Sequence, residues 1–159
     1  LCEEALQIAK ELGAGDIEAL INTERGKLYR DMNDWEESWK MFSKVKDWFE
    51  TRVAETPHDE ELAVGTWGQL ALVAYHLGRY EEARKLCLRS LEFFGEKGSK
   101  GYMATLKFRL ALAEEALGNR KEAVKHAEEA VHWFERLEIR PDVDEARAFL
   151  LKLLGKRSK

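Results

Sequence analysis

Gly78-Arg79-Tyr80-Glu81-Glu82-Ala83, in the middle of the chain, is one of three copies of a phrase that decides the architecture. The other two are Asn33-Asp34-Trp35-Glu36-Glu37-Ser38 and Gly118-Asn119-Arg120-Lys121-Glu122-Ala123. Fifteen residues after the start of each copy comes an aromatic pair: Trp48-Phe49, Phe93-Phe94 and Trp133-Phe134. The copies recur at intervals of 45 and then 40 residues. Such self-similarity marks a stacked repeat protein, in which each unit buries its apolar face against its neighbours. An array of this kind presents a surface, so the sequence speaks more clearly about architecture than about what binds.

The helical period runs outward from these landmarks in both directions. A first helix covers Cys2 to Leu12 and stops at Gly13-Ala14-Gly15. Asp16 is placed to cap a second helix carrying Ile17, Leu20, Ile21, Leu28 and Tyr29 and ending near Asn33. A third runs from Asp34 to about Ala54. Thr56 then reads as an N-cap, with Pro57 at the first helical position, where its missing N–H is harmless. A fourth helix reaches Leu77, a fifth covers Tyr80 to Glu96, a sixth Tyr102 to Leu117 and a seventh Arg120 to Glu138. Pro141 opens the last, with Asp142 and Glu145 spaced as a capping box. The small residue of each phrase (Ser38, Ala83, Ala123) lets two helices approach closely. Trp35 and Tyr80 are suited to plug the gap between hairpins, and Arg120 in the third copy predicts a more open turn.

Composition limits the function classes. With 35 % charged and 45 % hydrophobic residues and two prolines among 159, the chain suits exposed amphipathic helices. A net charge of −4 argues against nucleic acid as partner, because phosphate neutralisation requires a basic patch. Lys156-Arg157-Ser158-Lys159 reads as a solvated tail. No apolar run approaches the ~20 residues that span a bilayer, and no signal-peptide layout is present, so a cytoplasmic location is expected. Cys2 and Cys87 read as free thiols of a reducing compartment. The chain opens on Leu1, and Glu3-Glu4-Ala5 matches the Glu-Glu-Ala core of the phrase, so a fragment of a longer protein is expected.

Measured against known repeats, the chain resembles the tetratricopeptide repeat, with Trp-x₂-Leu-Gly-x₂-Tyr on its first helix and Ala-x₃-Phe on its second. The middle copy keeps Trp67-x₂-Leu70-Ala71-x₂-Ala74 and Ala83-x₃-Cys87. The first keeps Gly26-x₂-Tyr29 and Ser38-x₃-Phe42, and the third Leu110-Ala111 and Ala123-x₃-Ala127. The similarity spans essentially the whole chain. It implies an all-α, right-handed superhelical solenoid of eight helices: a half repeat over 1–15, repeats over 16–55, 57–97 and 99–139, and a capping helix over 142–154. Spacings above the usual period look like the long-helix branch, as in kinesin light chains and the sensor arrays of bacterial signalling ATPases.

The resemblance implies a non-catalytic scaffold or sensor module that accepts a peptide or helix in a concave groove. It places Thr23, Lys27, Arg30, Gly65, Gly68, Leu72, Tyr75, His76, Phe108, Arg109, Leu112 and Glu115 on that groove. Some members grip a partner's terminal carboxylate with paired basic residues and asparagine. Here the asparagine is missing and Thr23 takes one basic position, so that clamp is not carried over. Gly65 and Gly68 each weaken a helix by roughly 1 kcal/mol relative to alanine. They read either as close packing around Trp67 or as a notch walled by Leu72, Tyr75 and Phe108. With Lys27, Arg30 and Arg109 on the rim, an acidic-hydrophobic partner fits.

Three other constellations bear on chemistry. Glu122, His126 and Glu129 share a helical face at a spacing that could hold a metal, yet a fourth ligand is missing and a salt-bridged surface accounts for them. Gly95-Glu96-Lys97-Gly98-Ser99-Lys100-Gly101 lacks the order of a phosphate loop and no strand precedes it. The aromatic pairs read as core, with Trp48 and Trp133 each contributing about 2–3 kcal/mol by burial. No enzyme activity and no cofactor are expected. Self-association through the apolar face of Cys2–Leu12 is the second reading, and a small-molecule or metal-binding array the third.

Overall fold

A computed structural model describes residues 2–52, 57–95 and 98–155, with side chains over 3–51, 65–95 and 98–155. Eight helices account for nearly all of them, and none of the described residues forms a strand. They are α1 (Cys2–Glu11), α2 (Gly15–Asp31), α3 (Trp35–Arg52), α4 (Pro57–His76), α5 (Tyr80–Phe94), α6 (Lys100–Ala116), α7 (Arg120–Arg136) and α8 (Arg140–Gly155). The chain divides into two compact units, Leu1–Leu77 and Gly78–Lys159. Within the first, α1 packs on α2, α2 on α3 and α3 on α4; within the second, α5, α6, α7 and α8 pack in the same serial way. The boundary falls at Gly78, inside the stretch 57–97 that the sequence reads as one repeat.

The turns repeat one device. Gly13, Asn33, Gly118 and Glu138 all take left-handed φ, at 64°, 60°, 83° and 56°. In each case the next residue's N–H returns to a carbonyl five residues back: Ala14 to Ala9, Asp34 to Tyr29, Asn119 to Glu114 and Ile139 to Phe134. This is the Schellman arrangement, which satisfies carbonyls left over at a helix end. Glu138 is the exception in chemistry, since its Cβ makes the left-handed region unfavourable. The sequence carries no glycine there, and the seventh helix ends at Arg136 rather than at Glu138.

Other boundaries shift for local reasons. Asp34 caps α3 by accepting the Glu37 N–H at 3.3 Å, as its position suggests. Asp16 instead lies inside the first turn of α2, whose N-cap is Ala14. There its charge favours the positive end of the helix dipole. α8 begins at Arg140, because the Val143 N–H already bonds the Ile139 carbonyl, so Asp142 is a first-turn acid rather than the cap of a box. α6 begins at Lys100, two residues ahead of the expected start. The expected Thr56 cap lies outside the described residues.

Close approach at the repeated small residue is the main packing rule. Ser38, Ala83 and Ala123 are all buried, and Ser38 Oγ donates to the Gly26 carbonyl at 2.8 Å. Gly26 is required: a Cβ there would stand 2.9 Å from the ring of Phe42, itself fully buried. Similarly, Trp48 lies over Gly15, where an added Cβ would meet Nε1 at 2.5 Å.

The aromatic pairs divide unequally. Phe49 and Phe134 are buried, whereas Trp48 and Trp133 are half-buried and Phe93 stands 38 % exposed. Trp133 flanks the core formed by Phe108, Val131, Phe134 and Val143, with Lys100 Nζ 5.3 Å and Arg136 5.8 Å from its ring centre. The expectation that the pair is core therefore holds for the second member of the first and last pairs. The first member, turned from the second by about 100°, lies at the edge of the core and is only half-buried.

Candidate functional site

In the first unit the site residues fall on two helices joined by a hydrogen bond. Arg30 NH1 on α2 donates to Gln69 Oε1 on α4 at 2.9 Å, which brings the open sides of these helices together. Among the described side chains of α4, the buried ones are Thr66, Trp67, Gly68, Leu70, Ala71, Val73 and Ala74. They leave Gly65, Gln69, Leu72 and His76, at i, i+4, i+7 and i+11, as a stripe on the remaining side. Gly68, one turn from Gly65, is buried and belongs to the packed side. At Gly65 an added Cβ would meet no atom within 4 Å. The two glycines thus separate: one is inside, the other opens onto space.

His76 ends this stripe and stacks on Trp35, with ring centres 3.9 Å apart and planes within 7°. Tyr75 meets His76 edge-on at 5.4 Å. Partial burial holds the His76 imidazole below its usual pKa, since the charged form loses hydration. Trp35, the first residue of α3, thereby joins the end of α4 to its own hairpin, which is the plugging role its place in the phrase suggests.

The expected cationic rim is internally neutralised. Lys27 Nζ bonds Glu24 Oε1 at 2.7 Å, and Arg30 holds Asp31 at 2.8 Å while reaching Gln69. Thr23 turns its hydroxyl to the Ala19 carbonyl at 2.9 Å. Gln69 was missed by sequence reading. The signal is the i+4 step from Gly65, which puts Gln69 on the same side of the helix.

In the second unit the groove assignment does not survive for Phe108. It is only 9 % exposed, packs in the core with Ala104, Ala130 and Val131, and meets Phe149 of α8 edge-on at 5.8 Å. Leu112 leans on the same core. Arg109 lies close enough to Cys87 and Tyr102 for its charge to favour their anions, although burial dominates and pushes both groups up to about 12. Cys87 is therefore an inert buried thiol. Glu115 is half-buried at the C-terminal end of α6, where its carbonyl accepts the Leu117 and Gly118 N–H groups. Phe108 falls inward because α8 covers that side of α6, which repeat phase alone did not show.

The metal-like triplet does not converge. His126 is 9 % exposed, and its Nε2 lies 3.9 Å from Glu122. Glu129 pairs with Lys107 of α6 at 2.8 Å. No group of three histidine, cysteine, aspartate or glutamate side chains suited to a metal occurs among the described residues. No described helix is long and apolar enough to cross a membrane.

Serial antiparallel hairpins, a small residue at each close approach and an open stripe on the first helices define a helical-repeat surface. Residues 62–132 match the tetratricopeptide repeat family. That segment carries the tetratricopeptide repeat, and the all-helical fold of the chain accords with it. No curated protein matches it in sequence. Among solved structures it is similar to BtubC (BKLC) from P. vanneervenii, with TM-score 0.76 and 19 % identity over 99 % of this chain. The chain spans 65 % of the BtubC chain. It is also similar to the Arabidopsis OM64 TPR domain, with TM-score 0.61 and 15 % identity, covering 84 % of this chain and 94 % of that one. At such identities the likeness is one of fold. Tetratricopeptide arrays generally mediate protein–protein interaction or scaffolding, and the family is generally non-catalytic.

Proposed function

We propose that this chain is a recognition module that seats a peptide or helix of a partner protein on the open sides of α2 and α4. Gly65 carries the reading. It occupies a helix interior, where glycine is unfavourable by about 0.5–1 kcal/mol relative to alanine. Among the described residues nothing in the fold requires it, because a Cβ there meets no atom within 4 Å. A partner backbone approaching that point does need it. Leu72 and the Trp35–His76 stack offer apolar contact beside it, and Gln69 and Arg30 offer hydrogen bonds. An acidic-apolar segment fits this set, with its carboxylate competing for Arg30 against Asp31. A preformed surface of this kind binds with little rearrangement.

A scaffold or sensor role within a longer protein and a cytoplasmic setting accord with this reading, and neither catalysis nor a cofactor enters it. Panning a displayed peptide library against the chain tests it. An acidic-apolar consensus should be enriched, and Gly65→Leu should bind it at least tenfold more weakly, equivalent to about 1.4 kcal/mol, with an unchanged circular dichroism spectrum. Equal binding by a folded Gly65→Leu variant would refute the site. Gly68→Leu, at a buried position, should instead disturb packing and serves as a folding control.

A further inference from the structure

The large apolar side chains left in solvent are unevenly distributed. Along α2 and just past its end stand Ile17 (49 % exposed), Leu20 (63 %), Leu28 (56 %) and Met32 (65 %). The buried residues of α2 are Ala19, Asn22 and Gly26. At about 100° per residue the exposed four lie on roughly the opposite side of the helix. Isolated exposed leucines are ordinary, but a contiguous stripe marks an interaction surface.

The stripe is its own complement. Leu20 and Leu28 stand four residues before and after Glu24, and Ile17 and Met32 seven before and eight after. Glu24 is itself exposed and bonded to Lys27 at 2.7 Å. If two such helices pair antiparallel about an axis near Glu24, Leu20 meets Leu28 of the second copy. Ile17 then meets Met32 of the second copy. The two Glu24–Lys27 pairs fall together at the axis, where each carboxylate can exchange its lysine for that of the other chain. Four alternating charges then replace two separate pairs.

We propose that a second copy of this chain docks antiparallel on the outer stripe of α2, in a two-fold contact centred on Glu24 and Lys27. A partner of another sequence has no reason to require a stripe symmetric about its centre, whereas an isologous contact requires it. The contact is small for an interface: one helix pair lies below the roughly 1,200 Å² at which stable complexes begin. The dimer is therefore weak and reversible, and it lies on a different side of α2 from the peptide surface, with Lys27 shared between them.

Sedimentation equilibrium of the chain across the micromolar range tests this. A monomer–dimer equilibrium is expected, weakened at least tenfold by either Glu24→Lys or Lys27→Glu, because each puts like charges together at the axis. Mixing the two single variants should restore association as a heterodimer, since one then supplies only lysines and the other only glutamates. Leu20→Asp and Leu28→Asp, which lie on the stripe alone, should each abolish it without touching peptide binding. Circular dichroism checks that all four variants fold. A chain that stays monomeric at every concentration overturns the proposal, whether or not a different protein binds the stripe. So does a dimer indifferent to the charge reversals, or a mixture that fails to reassociate.

Discussion

The two units close the same seam with different chemistry. In the first, Trp35, which begins α3, stacks on His76, which ends α4. In the second, the equivalent residue is Arg120, which begins α7, and its guanidinium donates to the Leu153 carbonyl near the end of α8. Both contacts tie the start of one hairpin's second helix to the end of the next helix. The position in the phrase therefore specifies a reach and not a residue type. A flat ring fills the gap and excludes water, whereas a guanidinium spans it and satisfies a carbonyl that the helix end leaves over. The turn before Arg120 keeps the same return hydrogen bond, Asn119 N–H to the Glu114 carbonyl, as the turn before Trp35.

The largest test of the contrast lies in the cores behind the seams. Phe134→Ala, at a side chain 1 % exposed, should destabilise the second unit by about 3–5 kcal/mol. Trp133→Ala, half-buried beside it, should have less than half that effect. Chemical denaturation of both variants decides the matter, and equal losses would show that Trp133 is as much core as its neighbour.

Next come the seams themselves. Trp35→Ala removes a half-buried ring and should lower stability by about 2 kcal/mol. Arg120→Ala removes one charge-assisted hydrogen bond and should lower it by about 1 kcal/mol. Hydrogen exchange should show the loosening at the end of α4 in the first case and of α8 in the second. If Arg120→Ala proves the more damaging, the bond at Leu153 does more than replace a plug.

Two smaller gains are expected where the structure breaks its own rules. Asn22 is 3 % exposed and its Oδ1 has no hydrogen-bond partner, so Asn22→Leu should raise stability by about 1 kcal/mol in thermal melts of the chain. Glu138→Gly should add about 1 kcal/mol by relieving a left-handed φ of 56°. A loss in either variant would mean that a contact outside the fold holds the residue in place.

These exceptions also mark where sequence reading stopped. Gly13, Asn33 and Gly118 announce their turns by residue type, and Ser38 and Ala123 announce close approach through their place in the phrase. Glu138 announces nothing, because its conformation is imposed by the Leu137-Glu138-Ile139 connection between two well-packed helices. The open stripe of the proposed site was legible on α4, where Gly65, Leu72 and His76 share a less buried side. It was not legible at Phe108, since helical phase gives direction from an axis and not which neighbour covers that direction. The neutral rim likewise depends on Glu24 and Asp31 reaching their cations, a choice among rotamers that spacing leaves open.

The subtlest expected difference between the units concerns pH. His126 is buried on α7, its Nδ1 has no hydrogen-bond partner, and burial holds its pKa below the usual value. Lys107 of α6 and Lys125 press the same way, while Glu129 and Glu122 oppose. The unfolded chain takes up this proton near the ordinary histidine pKa of about 6.5, and the folded chain only at lower pH. The neutral imidazole's contribution is therefore complete above about 6.5 and is lost as pH falls from there toward the folded value. His76 shifts in the same direction through partial burial, but it is the more exposed of the two at the end of α4, and the charged ring can still rest on Trp35. Mild acid should accordingly speed hydrogen exchange along α7 before it does so along α4. His126→Gln, which cannot titrate, should remove that difference. If α7 remains as protected as α4 in mild acid, protonated His126 finds a partner in Glu122, whose carboxylate stands 3.9 Å away.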